Sequence, residues 1–264
     1  MIRKSICLLT IMLCLTIANI SIAQKECTQK GDQAACVYQA LNAGTFKPKI
    51  DGNLDDWKYV EGTFLGADFW EANGEQYSGE NDLSVTWWVT WDKDNLYVAF
   101  SVKDDVHQNT KGGDQIYGGD GIQIAIDPTG KKSTYAGVVY EYGYALAGKV
   151  PSVWRWATNA GTKGETSEYA IVRDDSKKLT NYEIRIPSDD IAPVTLATGK
   201  TIGWGFVVNE SDSCDCQGGW IGWGSRSIVF GKDATALADL VFSAKTVAVS
   251  PQGMLTTTWG ELKK

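Results

Sequence analysis

Residues 82–128 decide the fold and read DLSVTWWVTWDKDNLYVAFSVKDDVHQNTKGGDQIYGGDGIQIAIDP. Apolar and polar side chains alternate over 83–91, which predicts a β-strand with one buried face. The run 92–95 is rich in turn formers, and a second alternating run at 96–102 completes a predicted hairpin. After a Gly-rich loop, 122–126 predicts a third strand with its isoleucines turned inward. The three strands share a hydrophobic face, so a second layer of structure must cover it.

The same period of two continues along the chain, and helical periodicity is not sustained in the sequence. Residues 188–191 predict a single helical turn, and Trp57 is predicted to anchor the entry to the core. Further strands are predicted at 134–146, 152–157, 168–173, 181–187, 201–209, 218–225 and 238–243, which makes about ten in all. The sequence therefore predicts an all-β fold, a two-sheet antiparallel β-sandwich of immunoglobulin-like or jelly-roll-like form.

The N-terminus has the features of a signal peptide. A basic start, MIRKS, precedes an apolar segment at 6–20, and small residues follow at the expected cleavage site. We therefore expect export to the periplasm or the extracellular space. The apolar segment is too short for a comfortable membrane span, and no later segment offers one. The predicted organisation is a signal peptide at 1–23, a polar and irregular N-terminal segment at 24–45, and one β-sandwich domain at 46–264.

The charge and composition of the chain restrict its partners. The formal net charge is −7, and it becomes −9 without residues 1–23, which carry two basic residues and no acid. An acidic chain has no electrostatic footprint for nucleic acid. It also favours neutral over acidic polysaccharides as ligands. The 11 tryptophans, 11 tyrosines and 28 glycines suit a sandwich with many turns and an aromatic surface.

Four cysteines remain after residue 23, namely Cys27, Cys36, Cys214 and Cys216. In an oxidising compartment they predict disulfides, and three pairings are open. Local pairing, Cys27–Cys36 and Cys214–Cys216, is the simplest. A link between the N-terminal segment and the 214–216 loop stays open, because a Cys-x-Cys ring is strained. A zinc site would need further thiolates or imidazoles, and the chain has one histidine.

Seven motifs occur in a fixed order along the chain. They are IDGNLDDW (50–57), VTWDKDNLYVAFSVKDD (89–105), YGGDGIQIAIDP (117–128), NYEIRIP (181–187), IGWGFVVNESD (202–212), GWIGWGS (219–225) and KDATALADLVF (232–242). In spacing and order this set resembles the family 9 carbohydrate-binding module and its relatives. The resemblance spans residues 46–245. It implies a β-sandwich that binds sugar without catalysis and without a required cofactor, and a structural calcium ion in some members.

The resemblance also implies where a sugar binds. Family members clamp a sugar between two tryptophans, and the first corresponds here to Tyr117. The acidic sugar-binding residue of the family corresponds to Gln123. Both residues keep the chemistry, a flat ring and a hydrogen-bonding side chain. The second tryptophan would fall near Phe230 and the binding arginine near residues 141–144, where the chain has neither. Half of the implied site therefore departs from the family pattern.

The predicted carbohydrate-binding set is completed by Glu141, Arg155, Trp156 and Trp223. Such sites stack pyranose C–H faces on aromatic rings and pair hydroxyls with planar polar groups. Trp154 and Trp156 share one face of a predicted strand and Arg155 has the other, so either the tryptophan pair or Arg155 with Glu141 is exposed. Trp220 and Trp223 lie on opposite faces of another strand, and either one can be the buried member.

The predicted function is non-catalytic binding of a neutral polysaccharide or oligosaccharide by a secreted protein, with a separate polysaccharide-degrading enzyme as a further partner. A carbohydrate-active enzyme on the same scaffold is one alternative. A glycosidase needs two carboxyls facing each other across a sugar, whereas adjacent acids such as Asp104-Asp105 point apart in an extended chain. Solvated turns or calcium ligands explain such pairs better. A haem-binding sandwich is the other alternative, and its candidate ligands are His107 and Met254.

Overall fold

The computed structural model describes residues 35–156, 166–214 and 216–248. In this part of the chain, thirteen strands join one hydrogen-bonded network, and a short helix, α1 (Arg226–Val229), follows β12. A 3-10 turn at Ser188–Ile191 matches the predicted helical turn. The strands are β1 (Val37–Asn42), β2 (Thr63–Leu65), β3 (Trp70–Glu71), β4 (Leu83–Trp91), β5 (Asn95–Asp104), β6 (Gly121–Asp127), β7 (Tyr140–Ala147), β8 (Val150–Trp156), β9 (Glu168–Asp174), β10 (Leu179–Pro187), β11 (Thr201–Glu210), β12 (Gly219–Trp223) and β13 (Ala238–Thr246).

The strands form two sheets that face each other. The front sheet has the order β8-β7-β6-β11, and β12 and β13 pair with successive parts of β11. The back sheet has the order β4-β5-β10-β9, with β2 added to β4. Strand β1 connects the two sheets, because it pairs in parallel first with β13 and then with β4. All other described pairs are antiparallel, which confirms the predicted β-sandwich.

The core lies between the sheets because the alternating strands turn their apolar faces towards each other. Trp87 of the back sheet packs on Phe206 of the front sheet, with 4.9 Å between ring centroids, and Phe100 packs on the same ring at 5.0 Å. Trp57 is fully buried, and its indole nitrogen donates to Glu183 Oε1 at 2.9 Å. Trp57 packs with Tyr97 and Ala99 in a separate cluster, on the face of β5 that points away from the core, so the predicted anchor of the entry to the core lies outside that core.

The structure corrects the grouping of the first three predicted strands. The hairpin of β4 and β5 is confirmed, with residues 83–91 paired to 96–104. Strand β6, however, lies in the other sheet, between β7 and β11. Its inward isoleucines therefore do not extend the face of the hairpin but belong to the layer that covers it. Strand alternation reports which face is buried and not which sheet the strand joins.

Other corrections concern the edges of the sandwich. Residues 37–42 form β1, although the segment at 24–45 is predicted to be irregular. The sequence does not reveal this strand because it buries mainly Ala40 and shows little alternation. The strand predicted from residue 134 begins only at Tyr140, because backbone bonds from residues 138 and 139 to Tyr135 close a turn. Within the described residues, no helix is long and apolar enough to cross a membrane.

The cysteines follow the local pairing as far as the structure describes them. Cys214 and Cys216 form a disulfide. Cys36 is buried and also disulfide-bonded, whereas Cys27, its predicted partner, lies outside the described residues. The oxidised pair at 214–216 excludes these two sulfurs from the zinc alternative. The predicted signal peptide at 1–23 also lies outside the described part of the chain and stays a prediction.

Candidate functional site

A cleft of about 420 Å³ opens on the outer face of the front sheet, away from the core. Such a volume is in the range of sites for small ligands. The cleft is lined by Glu141 of β7 and Trp156 of β8, by the turn at 135–137, and by Gly231 and Lys232 beyond α1. Alternation along β7 directs Glu141 into the cleft, because the neighbouring Tyr140, Tyr142 and Tyr144 face the core.

The floor of the cleft is organised around the Glu141 carboxylate, which is 1% exposed. Tyr135 donates its hydroxyl to Oε2 at 2.7 Å, and Lys232 and Gln123 donate to Oε1 at 2.5 and 3.4 Å. Burial and the Glu141 charge raise the pKa of the Tyr135 hydroxyl, so it stays a donor at neutral pH. Sequence reasoning did not identify Tyr135 or Lys232, because both reach Glu141 from turns whose conformation the strand pattern does not report.

A chain of amides continues this floor towards Tyr117. Gln217 donates through Nε2 to Gln123 Oε1 at 3.3 Å and to Asn209 Oδ1 at 2.8 Å. Asn209 in turn donates to the main-chain oxygen of Tyr117 at 3.2 Å. Gln123 and Asn209 are buried, so the chain is fixed on the sheet while Tyr117, at the end of it, is exposed.

Trp156 lines the cleft, and the exposed ring of Tyr117 lies next to Trp156, outside the lining. The rings of Tyr117 and Trp156 are 6.2 Å apart between centroids and tilted by 59°. The Trp156 indole nitrogen donates to the main-chain oxygen of Asp114 at 3.2 Å, which fixes the edge of the ring. Gly143 of β7 makes room for it, because a Cβ at this position would lie 2.7 Å from Cη2 of Trp156 and 2.8 Å from Ile116. The indole therefore lies across the neighbouring strand.

A second aromatic group lies on the same sheet face, beyond Lys232. Phe230 is 43% exposed and packs edge-on against Trp70 and Trp220, at 4.9 and 5.7 Å between centroids. Trp220 belongs to a small apolar cluster on the outer face that includes Ala125 and Val207. Phe230 is thus an exposed ring close to the point where the family resemblance places its second tryptophan.

The structure brings four of the six predicted binding residues together, and it places the other two elsewhere. Tyr117, Gln123, Glu141 and Trp156 share the outer face of the front sheet. Trp223 is 4% exposed and packs on Trp87 in the core, with 5.6 Å between centroids, so it offers no ring to a ligand. Arg155 pairs with Tyr142 across β7 and β8 and therefore shares the face opposite Trp156. Burial in the core contradicts the prediction for Trp223, whereas a binding role for Arg155 stays a prediction.

A second polar group, here called the acidic cluster, lies where the ends of β4 and β5 meet β6 and β11. It consists of Asp82, Asp104, Asp105, Asp120, Glu210 and Asp212. Two sets of three carboxylates, Asp82/Asp105/Asp212 and Asp104/Glu210/Asp212, each have oxygens within 4.8 Å of one another. Oxygens that are buried without a hydrogen-bond partner occur in Asp105, Asp120, Glu210 and Asp212. A donor set of carboxylate oxygens with free lone pairs fits a calcium ion.

The electrostatics of the acidic cluster support the same fit. Burial, and then the neighbouring carboxylates, raise the pKa of Glu210 to about 11 and that of Asp212 to about 6. Burial and the Asp104 charge also raise the pKa of Asp120 well above its usual value. Negative charge is thus costly at this place. A bound divalent cation would instead favour the charged carboxylates, because it stabilises the deprotonated ligands.

His107 lies at the margin of the acidic cluster. Its Nδ1 is 3.3 Å from Asp104 Oδ2, and its Nε2 is 3.2 Å from the main-chain oxygen of Leu146. Arg173 donates to the same Asp104 oxygen at 3.2 Å. Both ring nitrogens of His107 are therefore engaged by protein groups, which does not favour the haem alternative. Met254, the other candidate haem ligand, lies outside the described residues.

Comparisons with known proteins agree with this fold. The family model described as "Carbohydrate family 9 binding domain-like" matches residues 50–229. Two solved structures of a family 9 carbohydrate-binding module from Caldicellulosiruptor kristjanssonii share the fold. The complex with glucose is 17% identical, covers 81% of this chain and 100% of its own, and has a TM-score of 0.61. The complex with cellotriose is 18% identical, with coverages of 81% and 97% and a TM-score of 0.62. Comparison with curated protein sequences gives no match.

Proposed function

The chain belongs to the carbohydrate family 9 binding domain-like family, and we propose that it binds a neutral polysaccharide or oligosaccharide, without catalysis, in the cleft on the outer face of the front sheet. The observation that carries this proposal is the position of Trp156 and Tyr117 beside the buried Glu141 network. The exposed Tyr117 ring and the half-buried Trp156 ring offer a stacking surface, and Lys232 offers N–H donors to hydroxyls. The related modules with glucose and cellotriose indicate glucans as the first ligands to test.

The chemistry of the cleft favours binding over catalysis. Among the residues that line it, Glu141 is the one carboxylate, and it already accepts from Tyr135, Lys232 and Gln123. Hydrolysis of a glycosidic bond requires a second carboxyl facing the first across the sugar. We further propose that the protein acts after export and that a separate polysaccharide-degrading enzyme uses it as a partner. Both points rest on the signal-peptide features and on the resemblance of the sequence.

Calcium is the proposed ligand of the acidic cluster. Asp212 would hold the ion either with Asp82 and Asp105 or with Asp104 and Glu210, because these are the sets whose carboxylate oxygens converge. The residues come from the ends of β4, β5 and β11 and from the loop after β11. The ion would neutralise the repulsion among these acids and thereby tie the end of β4 to that of β11. The ion would not touch a sugar in the cleft, since the residues of the cluster are not part of its lining.

Calorimetric titration tests the proposed function. The wild type is titrated with cello-oligosaccharides, xylo-oligosaccharides and further neutral glycans, in parallel with Trp156→Ala. Phe64→Ala is the matched control, because Phe64 is an exposed ring on β2 of the back sheet. We expect Trp156→Ala to lose about 1 kcal/mol of binding, roughly fivefold in Kd, and Phe64→Ala to bind as the wild type. Absence of binding to every glycan by folded wild type would contradict the proposal.

A further inference from the structure

One short loop links the acidic cluster to the cleft. Residues 211–218 connect β11 to β12, and the loop is closed at its base by a bond of 2.9 Å from Gly218 N to Glu210 O. Asp212, near its start, belongs to the acidic cluster. Gln217, near its end, belongs to the amide chain of the cleft. The disulfide Cys214–Cys216 lies between them.

Gln217 orients the polar floor of the cleft. Its Nε2 donates to both Gln123 Oε1 and Asn209 Oδ1, so the oxygens of these two amides are turned towards it. As a consequence, the amide nitrogen of Gln123 points to Glu141 and that of Asn209 points to the main chain of Tyr117. Gln217 is therefore a positioning residue. If it moves, the side-chain amides of Gln123 and Asn209 lose the bonds that orient them.

The loop itself is held from both sides. Ser213 donates from its main-chain nitrogen and its hydroxyl to Glu75 Oε2, at 3.1 and 2.9 Å, and Asn73 donates to the main-chain oxygen of Gln217 at 2.8 Å. The Ser211 hydroxyl donates to the Cys214 oxygen inside the disulfide ring. The ring restricts the residues that separate Asp212 from Gln217. A stretch restrained in this way can pass a displacement of Asp212 on to Gln217.

We propose that this disulfide-closed loop couples cation binding at the acidic cluster to sugar binding in the cleft, with Gln217 as its contact to the cleft. The inference deepens the proposed function and rests on it. Asp212 has a buried oxygen without a hydrogen-bond partner, so a cation at this oxygen fixes the start of the loop. Coupling is reciprocal: calcium raises the affinity for sugar by the factor by which sugar raises the affinity for calcium, about fivefold to tenfold.

The test compares the wild type with Cys214→Ser/Cys216→Ser, with Gln217→Ala, and with Gln39→Ala as a control at an exposed glutamine of β1. Each protein is titrated with calcium chloride, and with cellotriose in the presence of calcium or of EDTA. We expect calcium to tighten cellotriose binding about fivefold to tenfold in the wild type and in Gln39→Ala. In Cys214→Ser/Cys216→Ser and in Gln217→Ala, the ratio of the cellotriose Kd in EDTA to that in calcium should fall to about one. The double variant should also bind calcium more weakly, whereas Gln217→Ala should keep its calcium affinity. An equal ratio in all four proteins overturns the proposal.

A second measurement separates this inference from the proposed function. The side-chain amide resonances of Gln123 and Asn209 report the position of Gln217 without any sugar. Calcium should shift both resonances in the wild type and leave them unchanged in Cys214→Ser/Cys216→Ser. If folded wild type fails to bind cellotriose, that result counts against the glucan ligand alone. If the resonances do not respond to calcium in the wild type, the coupling is refuted whether or not a sugar binds.

Discussion

The substitution Gly143→Ala tests the packing that holds Trp156 in the cleft. The added Cβ would lie 2.7 Å from Cη2 and 3.0 Å from Cζ3 of Trp156, and 2.8 Å from Ile116. Ordinary contacts of a Cβ begin near 3.4 Å, so the indole must move by about 0.7 Å or turn outward. Overpacking of this kind costs about 1–3 kcal/mol of unfolding free energy. For a chain of this length that corresponds to a fall in Tm of about 2–4 °C per kcal/mol.

The same displacement should weaken sugar binding. Loss of a stacking ring costs about 0.5–1.5 kcal/mol, which corresponds to roughly a twofold to twelvefold rise in Kd. Calorimetric titration with cellotriose gives the Kd, and thermal unfolding gives the stability. Gly112→Ala is the control, because a Cβ there meets no atom within 4 Å and the backbone suits any residue. If Gly143→Ala lowers the Tm while its Kd stays that of the wild type, Trp156 does not contact the ligand and the placement of the site is refuted.

Three further predictions follow from the cleft and the acidic cluster. Tyr117→Ala should raise the Kd about fivefold through loss of the ring, while the Tm stays unchanged because the main-chain bond of residue 117 to Asn209 remains. Tyr117→Phe keeps the ring and should bind almost as the wild type; titration and melting curves of the two variants test both expectations. Lys232→Met should lower the free energy of unfolding by about 1–3 kcal/mol, because buried Glu141 loses its cation and keeps only the hydrogen bonds from Tyr135 and Gln123. An unchanged denaturant unfolding curve would disprove the stabilising role of the Lys232–Glu141 pair. Calcium at 100 times its Kd should add about 2.7 kcal/mol and raise the Tm by about 5–10 °C, and EDTA should reverse this. Without calcium, the pKa of Asp212 is raised from 3.8 to about 6 and that of Glu210 from 4.5 to about 11 in the folded protein. Between these values the folded protein keeps a proton that the unfolded chain has lost. The free energy of unfolding therefore falls as the pH rises from 3.8 to about 6 for Asp212 and from 4.5 to about 11 for Glu210. The gain from calcium should therefore vanish below about pH 4, rise through pH 6 as Asp212 ionises and go on rising towards pH 11. Melting curves with calcium or EDTA at several pH values would contradict the account if the gain were independent of pH.

The strand pattern predicted the elements of the fold well because the inner strands each bury one face. The runs at 83–91, 96–102 and 122–126 all became strands. The neighbours of each strand in its sheet cannot be derived in the same way, and the alternation wrongly groups β6 with the β4–β5 hairpin. Strand β1 escaped detection because its position between two sheets leaves no regular alternation. Local periodicity thus fixes orientation, while sheet membership depends on contacts that are distant in sequence.

The candidate site was predictable where it depends on strand faces and the family resemblance. Glu141 and Gln123 come together because β6 and β7 are neighbours, and Trp156 follows on β8. Alternation places Trp220 and Trp223 on opposite faces of β12, and the structure buries both, Trp223 in the core and Trp220 in the apolar cluster of the outer face. Lys232 could not be predicted, because a turn with a left-handed backbone, φ 63°, directs it to Glu141.

The acidic cluster, too, could be predicted from the sequence only in part. The adjacent acids Asp104 and Asp105 indicated calcium ligands or a solvated turn from the sequence alone. The convergence of Asp82, Asp120 and Glu210 on them depends on the meeting of strand ends from both sheets. A sequence pattern does not report this meeting, because the residues concerned are far apart in the chain.

Proton–nitrogen correlation spectra of the tryptophan indoles, recorded during titration with cello-oligosaccharides, test the central claim most directly. The Trp156 indole lines the cleft and donates to the Asp114 oxygen, whereas the indole of Trp57 is buried and bound to Glu183. Sugar binding in the cleft should shift the Trp156 resonance in a saturable manner and leave that of Trp57 unchanged. A saturable shift elsewhere, with the Trp156 resonance unmoved, would show that the protein binds sugar at a different surface and would contradict the account.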